Sequence, residues 1–217
     1  MATVFYDGNG NEVIVSGGGG SSGGSYGGYM PYSSYEALGD SLTYGGWPGN
    51  VAKALQIPSI VNNGVNGAHV IGTAGLVAQA NAVSETCELC TIMGGTNDGA
   101  DILAGKIGEI GTKDTTTYLG SYQTIIETLL AKNPKMRIFM LKPPRCYDRD
   151  GKVQFDTISD CIDQLHEYYG IPVIDVYNNL GMNEFNYSAY LSADKLHFNS
   201  DGIAAMTTLV AHSIASV

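Results

Sequence analysis

Basic residues are scarce in this chain of 217 residues: 11 Lys and Arg stand against 21 Asp and Glu, a formal net charge of −10. Neutralising phosphates takes clustered Lys and Arg, so neither nucleic acid nor an anionic membrane surface is an expected partner. Long apolar runs are missing as well. No stretch approaches the ~18 consecutive apolar residues of a membrane span, so no span is expected. The opening residues, Met1-Ala2-Thr3-Val4-Phe5-Tyr6-Asp7-Gly8, lack a basic segment followed by an apolar core and a small-residue cleavage site. No secretory signal is therefore expected, which makes the cytoplasm the default compartment, or carriage on a larger particle such as a phage. Cysteine is sparse too. Cys87, Cys90, Cys146 and Cys161 are too few for a disulfide scaffold at this length, so reduced thiols are expected.

Glycine is the residue in excess, with 29 copies, about 13% against a usual ~7%. Eight of them lie in residues 17–28, a Gly/Ser tract whose composition behaves as a flexible coil. Before it, two β-prone runs, Thr3-Val4-Phe5-Tyr6 and Glu12-Val13-Ile14-Val15, flank Asp7-Gly8-Asn9-Gly10-Asn11 and read as a small hairpin. That loop spells the start of a calcium site, but Glu12 stands where such a loop needs glycine and Gly18 where it needs glutamate, so a plain turn is the reading. The expected organisation is a hairpin arm (residues 1–16), a linker (17–30) and one domain (31–217).

Within the domain, short apolar runs alternate with helix-like stretches. Strands are expected at 35–38, 60–62, 88–93, 137–141 and 173–176, and helices at 48–56, 69–82, 115–132, 155–169 and 200–215. The alternation argues a three-layer α/β/α domain with a mostly parallel five-stranded sheet. Ligands of such sheets bind at the carboxyl ends of the strands, so the chemistry should follow 38, 62, 93, 141 and 176.

Three of those five ends carry residue sets suited to ester hydrolysis. Gly39-Asp40-Ser41-Leu42 puts a serine in a sharp strand-to-helix turn, where Oγ is exposed and becomes a nucleophile beside a base. Asn62-Asn63-Gly64-Val65-Asn66-Gly67 supplies a glycine whose N–H can approach a reacting oxygen, and Gly94-Gly95-Thr96-Asn97-Asp98 a side-chain amide donor. Near the other end, Asp194-Lys195-Leu196-His197 has the spacing that lets a carboxylate reach one ring nitrogen while the other faces a serine.

Taken together these blocks resemble the SGNH hydrolases, also called the GDSL esterase/lipase family. Gly39 to Leu42 is similar to the family's nucleophile block, Gly67 to its glycine block, Gly95 to Asp98 to its asparagine block, and Asp194 to His197 to its acid and histidine block. The four occur in the family's order over residues 34–215. The resemblance implies a flavodoxin-like sheet, a catalytic triad of Ser41, Asp194 and His197, and an oxyanion hole from Ser41, Gly67 and Asn97; no metal ligands cluster in the sequence, so no cofactor is expected. It implies a serine esterase acting on a small ester. A short acyl group, acetyl first, on an alcohol such as a carbohydrate hydroxyl is expected, since no long amphipathic lid is visible. A thioesterase or lysophospholipase on the same scaffold is the alternative, as is a glycan-binding or attachment module carried by the N-terminal arm.

Other motifs read more plainly. Three G-x-S-x-G matches fall in the Gly/Ser tract, without the strand that gives that pattern meaning. Cys87 and Cys90 would point to opposite faces of a strand, and His69, His166 and His212 lack metal-ligand spacing, so no metal is implied. Lys142-Pro143-Pro144-Arg145 reads as a solvated loop near the cleft. Tyr44, Trp47, Tyr147, Tyr187 and Tyr190 are aromatic residues at the same end whose flat faces suit sugar rings.

Overall fold

The computed structural model describes residues 2–6, 12–16, 32–147 and 152–217. Strands β1 (Ala2–Tyr6) and β2 (Glu12–Ser16) pair antiparallel, Ala2 opposite Ser16 and Tyr6 opposite Glu12. The Asp7–Asn11 turn and the Gly/Ser tract lie outside the described residues.

The domain builds one five-stranded sheet from β3 (Ser34–Gly39), β4 (Ser59–Asn62), β5 (Leu89–Met93), β6 (Arg137–Lys142) and β7 (Val173–Asp175). Its order is β4-β3-β5-β6-β7 and every pairing is parallel. Between strands run α1 (Ser41–Tyr44), α2 (Trp47–Ala54), α3 (Leu76–Ala82), α4 (Gly99–Leu103), α5 (Tyr118–Lys132) and α6 (Lys152–Tyr169); after β7 come α7 (Val176–Asn179) and α8 (Ser200–Ala215), which closes the fold. No helix among the described residues is long and apolar enough to cross a membrane.

Strand alternation splits the core into two layers. Leu38, Cys90, Ile92, Ile138 and Met140 face one side, against Leu76 and Ala80 of α3, Ile125 and Leu129 of α5, and Ile158 and Leu165 of α6. Tyr35, Ala37, Leu89, Phe139, Leu141 and Ile174 face the other, against Trp47 and Val51 of α2 and Met206, Val210 and Ile214 of α8. Both faces of the central strands are therefore apolar, as a parallel sheet covered by helices requires. The chain leaves β3 toward the β4 edge, then returns to place β5 on the opposite side of β3. The β3/β5 boundary is thus the switch point where a crevice opens at the strand ends.

Several expected boundaries shift. The helix expected from residue 69 starts at Leu76, because Gly72 sits at φ +102° and Gly75 is folded against His69. A Cβ on Gly75 would lie 2.1 Å from the His69 carbonyl oxygen, so residues 68–75 form a tight loop. The helix expected from residue 115 begins at Tyr118, where the Thr117 hydroxyl caps it by accepting from the Gly120 N–H. Asp175 ends β7 and caps α7 in the same way through the Asn178 N–H. Cys87 precedes β5, so Cys87 and Cys90 pack into the same layer instead of opposite ones. Trp47 is wholly buried in the core, and Lys142, Pro143 and Pro144 are buried too, Lys142 paired with Asp163 at 2.8 Å. Neither the expected rim tryptophan nor the solvated loop is seen.

Candidate active site

The turn after β3 is built around Gly39, whose N–H donates to Gln79 Oε1 at 2.8 Å and whose carbonyl accepts from Gln79 Nε2 at 2.9 Å. A Cβ here would lie 2.1 Å from Thr43 Oγ1 and 2.5 Å from the Met93 carbonyl oxygen, so only glycine lets the turn close onto β5. Asp40 caps α1, its Oδ1 accepting from the Leu42 N–H at 3.0 Å. Its other oxygen lies buried beside the Thr96 hydroxyl, short of full hydrogen-bond geometry. Burial pushes the Asp40 carboxyl up to about 6, against the pull of the Leu42 N–H.

Ser41 begins α1 and stands at this turn. His197 Nε2 lies 2.8 Å from Ser41 Oγ, and His197 Nδ1 lies 2.7 Å from Asp194 Oδ2. Asp194 Oδ1 in turn accepts from the backbone N–H groups of Leu196 and His197, each at 3.0 Å. The bond to His197 and those two N–H groups hold the Asp194 carboxyl down at about 2. It is therefore ionised at neutral pH, which fixes the proton on Nδ1 and leaves Nε2 as an acceptor for the serine hydroxyl. The tight Asp194–His197 turn puts Lys195 at φ +58°, and is braced by the Ser192 N–H donating to the His197 carbonyl at 2.7 Å. The Asn199 side chain caps α8 behind it by accepting from the N–H groups of Asp201 and Gly202.

The loop after β4 is drawn over the same turn. Asn63 and Val65 donate their N–H groups to the carbonyls of Ala37 and Gly39, and Asn62 Nδ2 donates to the Thr43 carbonyl at 2.9 Å. Gly64 lies so close to Tyr44 that a Cβ would come 2.4 Å from its backbone nitrogen. Gly67 differs: at φ +73° it needs glycine for its left-handed backbone, and nothing stands within 4 Å of the Cβ position. Asn97 Nδ2 donates to the Ala68 carbonyl at 2.9 Å, which joins the β5 loop to the β4 loop next to Gly67.

Ser41, His197 and Asp194 are thus brought into one hydrogen-bonded series, and Gly67 and Asn97 meet through Ala68. Sequence reasoning missed the side chains that hold these loops. Asp98 is wholly buried and accepts from the N–H groups of Val70 at 3.0 Å and Ile71 at 2.8 Å, with His69 Nδ1 at 3.6 Å. Burial raises its carboxyl above the ordinary value despite those two donors. Gln79, the other missed anchor, left one signal: a polar side chain on the buried face of an apolar helix.

This parallel α/β sheet carries its side-chain series at the switch point, where ligands of such sheets bind. The chain belongs to the GDSL-like lipase/acylhydrolase family, whose model matches residues 37–205. No curated protein sequence matches it. Among solved structures it is similar to a protein from Lactobacillus plantarum, at 21% identity and a TM-score of 0.76, with 86% of this chain and 98% of that one covered. It is also similar to an acetyl xylan esterase, at 17% identity and a TM-score of 0.60, covering 83% and 98%. A carbohydrate esterase from Talaromyces cellulolyticus matches at 16% identity and a TM-score of 0.60, covering 85% and 99%. These likenesses establish the shared SGNH hydrolase fold.

Proposed function

We propose that the protein is a serine esterase that removes a short acyl group, acetyl first, from an alcohol such as a carbohydrate hydroxyl. The observation that carries this reading is the unbroken series Asp194, His197, Ser41, with contacts of 2.7 and 2.8 Å. Ser41 Oγ attacks the acyl carbon as His197 Nε2 takes its proton, and Asp194 stabilises the imidazolium that results. Collapse of the tetrahedral intermediate releases the alcohol, which receives that proton, and leaves an acyl-serine for water to hydrolyse by the reverse assignment. The N–H groups of Ser41 and Gly67 and the Asn97 amide hold the oxyanion. The acetyl and carbohydrate choice is supported by two structural neighbours that are an acetyl xylan esterase and a carbohydrate esterase.

The test is hydrolysis of short nitrophenyl esters and acetylated oligosaccharides, together with labelling by a fluorophosphonate probe. Wild-type protein should turn over and label, and Ser41→Ala should do neither while melting at the same temperature. Retention of more than a few per cent of turnover in purified Ser41→Ala would exclude Ser41 as nucleophile. Faster cleavage of long-chain than of acetyl esters would move the reading to a lysophospholipase.

A further inference from the structure

Resting on the esterase reading, we propose that the pocket over the ends of β6 and β7 is the subsite for the alcohol half of the ester, and that its occupant is a pyranose ring of a neutral carbohydrate. The first argument is chemical. The histidine that takes the serine proton must return it to the leaving oxygen, so the alcohol departs on the histidine side, away from the oxyanion donors. Gly67 and Asn97 come from the loops after β4 and β5, whereas His197 comes from the segment between α7 and α8. The pocket, of about 340 Å³, lies along that same segment and is lined by Arg145, Tyr147, Phe155, Tyr177, Asn183 and Phe185. Small-molecule sites begin at roughly this size, about 300 Å³.

The second argument is connection. The Tyr147 N–H donates to the Lys195 carbonyl at 3.1 Å. Lys195 is two residues from His197, so their Cα atoms are at most about 7.6 Å apart. Tyr147 stacks on Tyr187, ring centroids 4.6 Å apart and planes 12° from parallel. One wall of the pocket is therefore joined directly to the turn that carries the imidazole.

The third argument is the chemistry of the lining. Phe185 is 90% exposed, a phenyl face that contributes nothing to the core. Arg145 is held rigidly at the other wall: its guanidinium lies 4.0 Å over the Tyr177 ring. It donates to the Tyr177 carbonyl at 3.3 Å, to Tyr177 Oη at 3.2 Å and to Asn178 Oδ1 at 3.1 Å. A guanidinium has five N–H donors, so this fork has donors left for a ligand. An aliphatic alcohol would strip water from Arg145, Asn183 and Glu184 without replacing its hydrogen bonds. Glu184 in the same lining as Arg145 and a net charge of −10 disfavour an anionic group. A pyranose combines a flat C–H face with a rim of hydroxyls, and meets aromatic faces and polar edges alike.

The experiment compares Phe185→Ala with wild type on 6-O-acetyl-glucopyranoside, cyclohexyl acetate and methyl acetate, with acid release followed by pH-stat. Phe185 is at the surface, so the variant should fold, and a thermal melt checks it. The ratio of kcat/KM for the sugar ester to that for methyl acetate should fall roughly three- to tenfold, the usual worth of one aromatic stacking contact. Tyr147→Leu should move the ratio the same way. An unchanged ratio in both variants overturns the subsite, as does an equal loss with cyclohexyl acetate, which would mark a pocket for any apolar ring. Binding of methyl β-D-glucopyranoside to full-length Ser41→Ala protein, read by saturation-transfer NMR, separates the two readings. Sugar binding that depends on Phe185, together with no ester turnover by the wild-type protein, would sink the esterase and keep the sugar site. Turnover without such binding would do the reverse.

Discussion

Replacing Gln79 by glutamate tests the anchoring of the serine turn, because the two side chains share a shape and differ only in what they can donate. In the native protein the Gln79 amide both accepts from the Gly39 N–H and donates to the Gly39 carbonyl, at 2.8 and 2.9 Å, in a site where the side chain is 8% exposed. A protonated carboxyl can reproduce both bonds. An ionised one keeps the first and sets a negative charge against the carbonyl oxygen. Burial of this depth raises a glutamate pKa by roughly 2–4 units, and at 1.36 kcal/mol per unit the linked loss of stability is about 3–5 kcal/mol. The sign follows from the folded-state pKa being the higher one. The variant should match wild type below the unfolded value near 4 and lose stability as pH rises through the folded value. Urea denaturation of Gln79→Glu and wild type at pH 4.5 and pH 8 measures this, since the difference between the two proteins cancels the carboxylates they share. Turnover at pH 8 should fall with stability, because Gly39 is two residues from Ser41. A penalty that is the same at both pH values, or a Gln79→Glu protein as stable as wild type at pH 8, would refute the claim that this amide bond pair holds the turn.

Two further outcomes are expected. Asp40, raised to about 6 by burial, makes the folded state bind a proton that the unfolded chain has already lost, so stability should fall as pH rises from about 4 to 6, by up to about 3 kcal/mol. Asp40→Asn should flatten that part of the profile in chemical denaturation, with Asp98, also raised by burial, still contributing a slope of the same sign; an unaltered slope would show that Asp40 is not the group responsible. Asn97→Ala should lower kcat by about 10²–10³ with KM little changed, the usual cost of one oxyanion donor, and a drop confined to KM would place Asn97 in substrate binding instead.

The sheet was legible because its central strands are buried on both faces and so read as continuous apolar runs between helical patterns. Leu89-Cys90-Thr91-Ile92-Met93 shows this well, every residue of it buried. The serine, glycine and asparagine blocks were legible for a related reason: each follows the end of a strand, where the backbone must turn, while the Asp194 to His197 block was legible by its three-residue spacing before the last helix. What stayed hidden were partnerships that depend on distance in the chain. Gln79 is 40 residues from Gly39, and Asp98 is 28 from Val70. Neither spacing has a local pattern. The false helix start at residue 69 had a different origin: its apolar residues keep helical periodicity, but Gly72 and Gly75 are used for a turn, and Asp98 rewards the loop by binding its N–H groups.

Asp194 and His197 share one turn of backbone, and the carboxylate accepts from its own turn as well as from the ring. Acid and base are therefore a single rigid body, and the assembly has one mechanical joint, at the 2.8 Å contact between His197 and Ser41. Displacing that turn would open the joint without breaking the Asp194–His197 hydrogen bond. A shift of that turn therefore acts on the nucleophile contact alone and carries the Asp194–His197 pairing along with it.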